Sequence, residues 1–157
     1  MTAARLQSQF GQLLYPDLPV FVAHSNGAGT NAMALSNTMT EITMFTIVAL
    51  NQGDHYNNST CRFTCPVTGI YEFGMNFIAG NANEVYRFHF YKNGVAQNPQ
   101  LRLDTTDSTN LDYETAFISM YYSCNKGDEW SIYGRSDGGS DKFSNLSYDY
   151  FQGRLIG

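Results

Sequence analysis

The stretch Phe45–Met75, FTIVALNQGDHYNNSTCRFTCPVTGIYEFGM, decides how the rest of the chain is read. It opens with Phe45, Ile47 and Ala49 alternating with Thr46, Val48 and Leu50, the period of a strand. Asn51-Gln52-Gly53-Asp54 then breaks the run, because Gly accepts a positive φ and Asn and Asp bond their own backbone. Arg62–Cys65 predicts a second, short strand. Pro66-Val67-Thr68-Gly69 breaks again, since Pro has no N–H for a ladder and Gly weakens a strand. From Ile70 to Phe77 a strand returns, with Tyr71, Phe73, Met75 and Phe77 on one face and Ile70, Glu72 and Gly74 on the other. The first face is large, aromatic and continuous, and it predicts core.

Composition bounds the class. At 157 residues the chain is one domain with room for a real core. Charged residues make up 15%, below the roughly 25% of an ordinary globular domain, and the formal charge is −5. The nine Lys and Arg are scattered, so no basic stripe points to nucleic acid. No apolar run reaches the roughly 18 residues of a membrane span. Met1–Tyr15 has no basic segment followed by an apolar one, so no ordinary secretory leader is expected. The chain is therefore expected either to be assembled inside a cell or to have lost its leader.

Outside the central stretch the signals are mostly β. Leu6, Phe10, Leu13 and Leu14 are the exception: they fall at helical spacing, Gly11 interrupts them and Pro16 ends them. Such a short helix is marginal alone, so residues 1–17 predict an arm or anchor that docks on a partner. Residues 18–157 predict the folded domain. Pro19–His24 reads as its first strand, Ser25–Asn31 as a loop, and Ala32–Thr40 as a loop or weak edge strand. Ala79–Asn83 is a turn. Val85–Lys92 sets Tyr86, Phe88 and Phe90 against Arg87, His89 and Tyr91, and Asn93-Gly94 after it is a strong hairpin signal. Pro99–Thr109 is polar with short strand content. Phe117–Cys124, a turn at Asn125–Asp128, Glu129–Arg135, a tip loop at Asp137–Asp141 and a last segment Ser147–Ile156 complete the chain. Short strands with turns every 8–12 residues imply an all-β sandwich.

The spacing of Phe45, Asn51, Tyr56, Phe63, Gly69, Tyr71 and Phe73 resembles the signature of the C1q/TNF-like family, with Met75 where that family usually has Phe or Tyr. Pro19-x-Phe21-x-Ala23, the Lys126-Gly127-Asp128 turn and Phe151-x-Gly153-x-Leu155 extend the resemblance from about Leu18 to Gly157. It implies a jelly roll of about ten strands in two sheets, usually packed as a homotrimer by an aromatic face. The chain has 23 aromatic residues, eleven Phe, eleven Tyr and one Trp, more than one small core easily hides. Phe45, Tyr56, Phe63, Tyr71, Phe73 and Phe151, with Gly69, are the expected core or trimer positions. The 157 residues hold no Gly-X-Y repeat of the collagen-like kind that often precedes such a domain.

Signals for chemistry are weak. Cys61 and Cys65 lie about 13 Å apart if extended, too far for a disulfide; Cys65 with Cys124 requires neighbouring strands, and buried free thiols are the expectation. His24, His55 and His89 show no spacing that serves a nucleophile. Asp104, Asp107, Asp112 and Glu114 read as a solvated acidic surface. Asp128, Asp137 and Asp141 offer hard oxygen ligands for calcium but match no loop motif. Asn57, Asn58 and Asn145 begin glycosylation sequons that read as turn chemistry. Tyr121, Tyr122, Tyr148 and Tyr150 read as subunit interface first and as a saccharide or protein platform second. The expectation is a non-enzymatic trimeric protein with no cofactor and no metal. Its leaderless head and short arm resemble a virion surface protein, a capsid decoration protein or fibre head, docked through residues 1–17 to a capsid or tail. The alternative is an extracellular C1q-like recognition domain for glycans or proteins.

Overall fold

The computed structural model describes residues 18–26, 33–79, 84–104, 114–137, 141–142 and 148–157. The anchor residues Leu6, Phe10, Leu13 and Leu14, the turn at 80–83, Asp107, Asp112 and Asn145 lie outside them. In chain order the strands are β1 (Val20–His24), β2 (Ala34–Leu35), β3 (Thr40–Glu41), β4 (Ile47–Gln52), β5 (Tyr56–Asn57), β6 (Arg62–Thr64) and β7 (Gly69–Ala79). Then follow β8 (Val85–Lys92), β9 (Val95–Ala96), β10 (Leu101–Asp104), β11 (Glu114–Cys124), β12 (Glu129–Ser136), β13 (Asp141–Lys142) and β14 (Tyr150–Leu155). The described residues contain no helix. Where about ten strands are expected, the described residues form fourteen, of which β2, β3, β5, β9 and β13 are only two residues long.

Two antiparallel sheets form the sandwich. One runs β11-β7-β14-β1-β4; the other runs β10-β8-β12-β6-β5, with β3 on β12 and β9 on β8. The period-two alternation of the sequence becomes the two faces of each sheet. Tyr71, Phe73, Met75 and Phe77 from β7 meet Tyr86, Phe88 and Phe90 from β8 and Trp130 from β12, all 0% exposed. Phe73 is the hub: its ring stacks on Trp130 at 4.5 Å and lies within 6.3 Å of Phe63, Tyr71, Phe90 and Phe151. Removing such a ring costs about 3–5 kcal/mol.

The spaced signature has a physical account. Phe45 is fully buried, and its carbonyl accepts the Tyr56 hydroxyl at 2.8 Å. The Asn51 side chain pins the turn from both sides: its Nδ2 donates to the Tyr56 carbonyl at 2.8 Å, and its Oδ1 accepts the Tyr56 N–H at 3.0 Å. Phe63 stacks on Phe21 at 4.7 Å. Gly153 is required by close approach, since a Cβ there would lie 2.5 Å from the Phe73 ring and 2.7 Å from Phe21. Asn93 and Gly94, at φ 50° and 78°, make the predicted hairpin turn between β8 and β9.

Three expectations need correction. Ile47, Val48 and Leu50 are 37–44% exposed rather than half-buried by alternation, because β4 is the last strand of its sheet, paired on one side to β1. Tyr122 faces inward, its ring tilted against Trp130 at 4.7 Å, and does not present a phenol with Tyr121. Asp128 and Asp137 cannot share a calcium ion. They flank the two ends of β12, some 30 Å apart at about 3.3 Å per residue, and each is paired with cations, Asp128 with Lys92 and Asp137 with Arg87 and Arg135. His55 is half-buried, its ring edge-on to Phe63 at 6.4 Å. The three cysteines are buried and free. A hydrogen bond between the Cys65 and Cys124 thiols pushes Cys65 up and Cys124 down. Asn57 works as turn chemistry: its Oδ1 accepts the backbone N–H groups of Ser59 and Thr60.

Candidate functional site: the outer face of the five-stranded sheet

The strand register assembles this face from residues far apart in sequence. Side chains that alternate with the core fall into three cross-strand rows. Ile47, His24, Tyr150, Asn76 and Phe117 form the first. Leu50, Val22, Gln152, Gly74 and Ser119 form the second, and Gln52, Val20, Arg154, Glu72 and Tyr121 the third. Phe117 is 52% exposed, Tyr121 61% and Leu50 44%. Tyr148, at 65%, stands at the rim. Large apolar groups gathered on one sheet face mark an interaction surface rather than scattered exposure.

Two features shape it. Phe117 lies flat over Gly74, where an added Cβ would sit 3.4 Å from the ring and 3.0 Å from the Gln152 amide, so glycine keeps the middle row low. Two depressions lie on the face, of about 310 Å³ beside Val20, Val22 and Arg154, and about 460 Å³ between His24, Asn76, Tyr148 and Tyr150. Within the apolar ground sits one polar island. Glu72 accepts the Ser119 hydroxyl at 2.8 Å and Arg154 Nε at 2.8 Å. Those bonds, Ser119 first and Arg154 second, hold the Glu72 carboxyl below its usual range.

At the rim, Asp149 is fully buried between Tyr148 and Tyr150. Its Oδ1 accepts the Ile78 N–H at 2.8 Å, its main-chain carbonyl accepts the Ser25 N–H at 3.1 Å, and its Oδ2 has no partner among the described residues. Burial pushes this carboxyl up to about 8. It anchors the β14 end of the face, and its neutral form carries no charge into the interior.

The expected core or trimer positions divide clearly. Phe45, Tyr56, Phe63, Tyr71, Phe73 and Phe151 are 0–3% exposed inside a single chain, and Gly69 packs against Leu155 and the Gly157 carbonyl. The exposed face is built from other residues. Of the four tyrosines singled out in the sequence, Tyr121, Tyr148 and Tyr150 are on it or at its rim. Phe117, Val20, Val22, Gln152, Glu72 and Arg154 were not singled out. Their only sequence signal is that each alternates with a core residue. No three His, Cys, Asp or Glu side chains converge among the described residues.

A model of the C1q domain matches residues 24–156. Mouse complement C1q tumor necrosis factor-related protein 2 is 31% identical over 85 residues, covering 54% of this chain and 26% of that protein. The match thus spans about a quarter of the relative's length. The globular domain of zebrafish complement 1qA superposes with a TM-score of 0.59 at 19% identity, over 88% of this chain and 98% of the other. Murine APRIL superposes at 0.65 and 12% identity, over 89% and 100%.

Proposed function

The chain belongs to the C1q domain family, and from that premise we propose that it is a non-enzymatic, extracellular recognition domain that works as a homotrimer. The trimer is held by the outer face of the five-stranded sheet. The observation that carries this is the register itself. Four strands of the domain's own sheet place Phe117, Tyr121, Tyr150, Val22 and Leu50 on one uncovered face, with depressions beside them. A threefold arrangement is heterologous, so a protruding residue on one subunit meets a different surface on the next. The Phe117–Tyr121 side supplies rings, and the Val20–Val22–Leu50 side supplies a shallower aliphatic surface. The Glu72–Arg154–Ser119 island fixes register, because an offset would strand a carboxylate against apolar groups. Glycans or proteins are then recognised by the surfaces left outside the trimer.

The matches to animal complement and TNF-type proteins favour the extracellular reading over the virion one. A capsid or fibre role depends on the spacing of Leu6, Phe10, Leu13 and Leu14, and deleting residues 1–17 tests it: a shortened chain that still folds but no longer joins a larger particle would restore that role. The trimer is tested by native mass spectrometry. The expected species contains three 17.6-kDa chains, and a stable monomer at micromolar concentration would sink the proposal.

A further inference from the structure

We infer that the outer face of the seven-stranded sheet binds a linear acidic saccharide, one bearing carboxylate or sulfate groups, laid along β12. This deepens the recognition reading by naming a ligand class. It concerns the sheet opposite the proposed subunit interface and so stands or falls apart from the trimer.

The register sets Arg102 opposite Arg87 and Arg87 opposite Arg135, three guanidiniums in one row across β10, β8 and β12. All three project outward, since each alternates with buried neighbours. Adjacent strands lie about 4.8 Å apart, so the row spans about 10 Å. Three of the chain's nine Lys and Arg gather here, in a protein whose formal charge is −5. Like charges directly opposite one another destabilise a sheet, so the row calls for anions. The chain supplies two. Asp137 bridges Arg87 and Arg135 at 3.0 and 3.2 Å, and Asp104 meets Arg102 Nε at 2.7 Å. Among the described residues, three cations against two paired anions leave the row net positive. Arg102, whose side chain is 51% exposed, uses only its Nε among the described residues. Its remaining donors match the fork geometry of a carboxylate or sulfate.

The residues next along the strands select a saccharide over a bare anion. Tyr91 and Tyr133 stack with centroids 3.9 Å apart on the same face, one step from the arginine row, with His89 beside them. Beyond the tyrosines lies a depression of about 430 Å³ lined by Arg62, Asn93, Glu129, Ser131 and Tyr133. Polar depression, aromatic platform and guanidinium row thus follow one another along β12 from Glu129 to Arg135, about 20 Å at 3.3 Å per residue. Sugar rings offer hydroxyls to the first, C–H faces to the second and acid groups to the third. An acidic peptide would bond its backbone to a sheet edge, and this is a face with its ladders already paired.

The test uses the whole chain and three probes: a hexasaccharide with uronate and sulfate groups, its neutral counterpart, and a glutamate hexapeptide. The acidic hexasaccharide is expected to bind saturably and the other two at least about tenfold more weakly. Arg102→Glu should weaken binding about tenfold or more, while Leu18→Glu, beside β1 of the opposite sheet, should leave it unchanged. Asp137→Asn should strengthen binding severalfold by releasing Arg87 and Arg135; a purely structural ion-pair cluster would not gain affinity this way. Absence of saturable binding at low salt, equal loss on Leu18→Glu, or preference for the peptide would each overturn the inference. Subunit number measured on the same samples separates this outcome from failure of the trimer proposal.

Discussion

The two sheets share one core and present opposite surfaces. Both inner faces are phenylalanine-rich and fully buried, and Phe73 touches both through Phe151 and Trp130. Outward, the five-stranded sheet exposes Phe117, Tyr121 and Leu50, whereas the seven-stranded sheet exposes arginines and a stacked tyrosine pair. The difference follows from what each alternate residue must do. Inner positions have one acceptable chemistry, while outer positions are free to diverge, one side toward apolar rings and the other toward arginines. The same period-two pattern therefore writes the fold on one face and the function on the other.

The largest blow to this comparison removes what the two sheets share. Phe73→Ala should destabilise the domain by about 3–5 kcal/mol, read as a lower denaturant midpoint at unchanged slope, since the ring contacts both layers. A loss below about 1 kcal/mol would mean the sheets do not depend on that ring. Next comes pH. Asp149 titrates near 8 when folded and near 4 when unfolded, so the folded state holds the extra proton between those values. Stability from this group is complete below pH 4 and is lost as pH rises through 8, by several kcal/mol at most. Asp149→Asn should flatten that slope in equilibrium unfolding; an unchanged slope would assign the pH dependence elsewhere. The third test separates the faces. Phe117→Asp should raise the subunit dissociation constant about 30-fold or more while leaving the monomer folded, and Arg135→Gln should leave it unchanged. Equal effects from both would erase the distinction. The smallest effect is expected from Arg62→Ala. Its bonds to Glu41 at 2.8 and 2.9 Å join β6 to β3, but its side chain is 40% exposed, so about 1 kcal/mol or less should be lost on heating or denaturant titration.

Much of the inner architecture was legible in the residues. β7 and β8 alternate so regularly that their buried faces follow from period alone, and Asn93-Gly94 announced its hairpin. β4 was misleading because alternation implies a covered side, and nothing in Ile47–Leu50 tells that the strand lies beyond the reach of the opposite sheet. The outer face was out of reach for a different reason. Leu50, Val22, Gln152, Gly74 and Ser119 become a row only through four registers, and no single segment carries more than one of them. The arginine row is hidden in the same way: scattered along the chain, Arg87, Arg102 and Arg135 looked like an absence of basic clustering. Asp149 gave no signal at all, since an Asp between two tyrosines reads as surface until its neighbours close over it.

The pairing of β1 with β14 carries a consequence for how the molecule is made. Val20 sits opposite Arg154, Phe21 opposite Gly153, and the Leu155 N–H donates to the Pro19 carbonyl at 3.0 Å. β14 also lies between β1 and β7, so the middle of this sheet is supplied by the strand that comes last of the five in sequence. A nascent chain halted before Tyr150 has β1 and β4 on one side and β7 and β11 on the other, with a strand-wide gap and two unprotected edges between them. Closure of the sheet is thus a late, long-range event, of the kind that makes folding slow. Until it happens neither edge of the gap is safe from a neighbouring chain, and the outer face proposed to gather subunits does not yet exist.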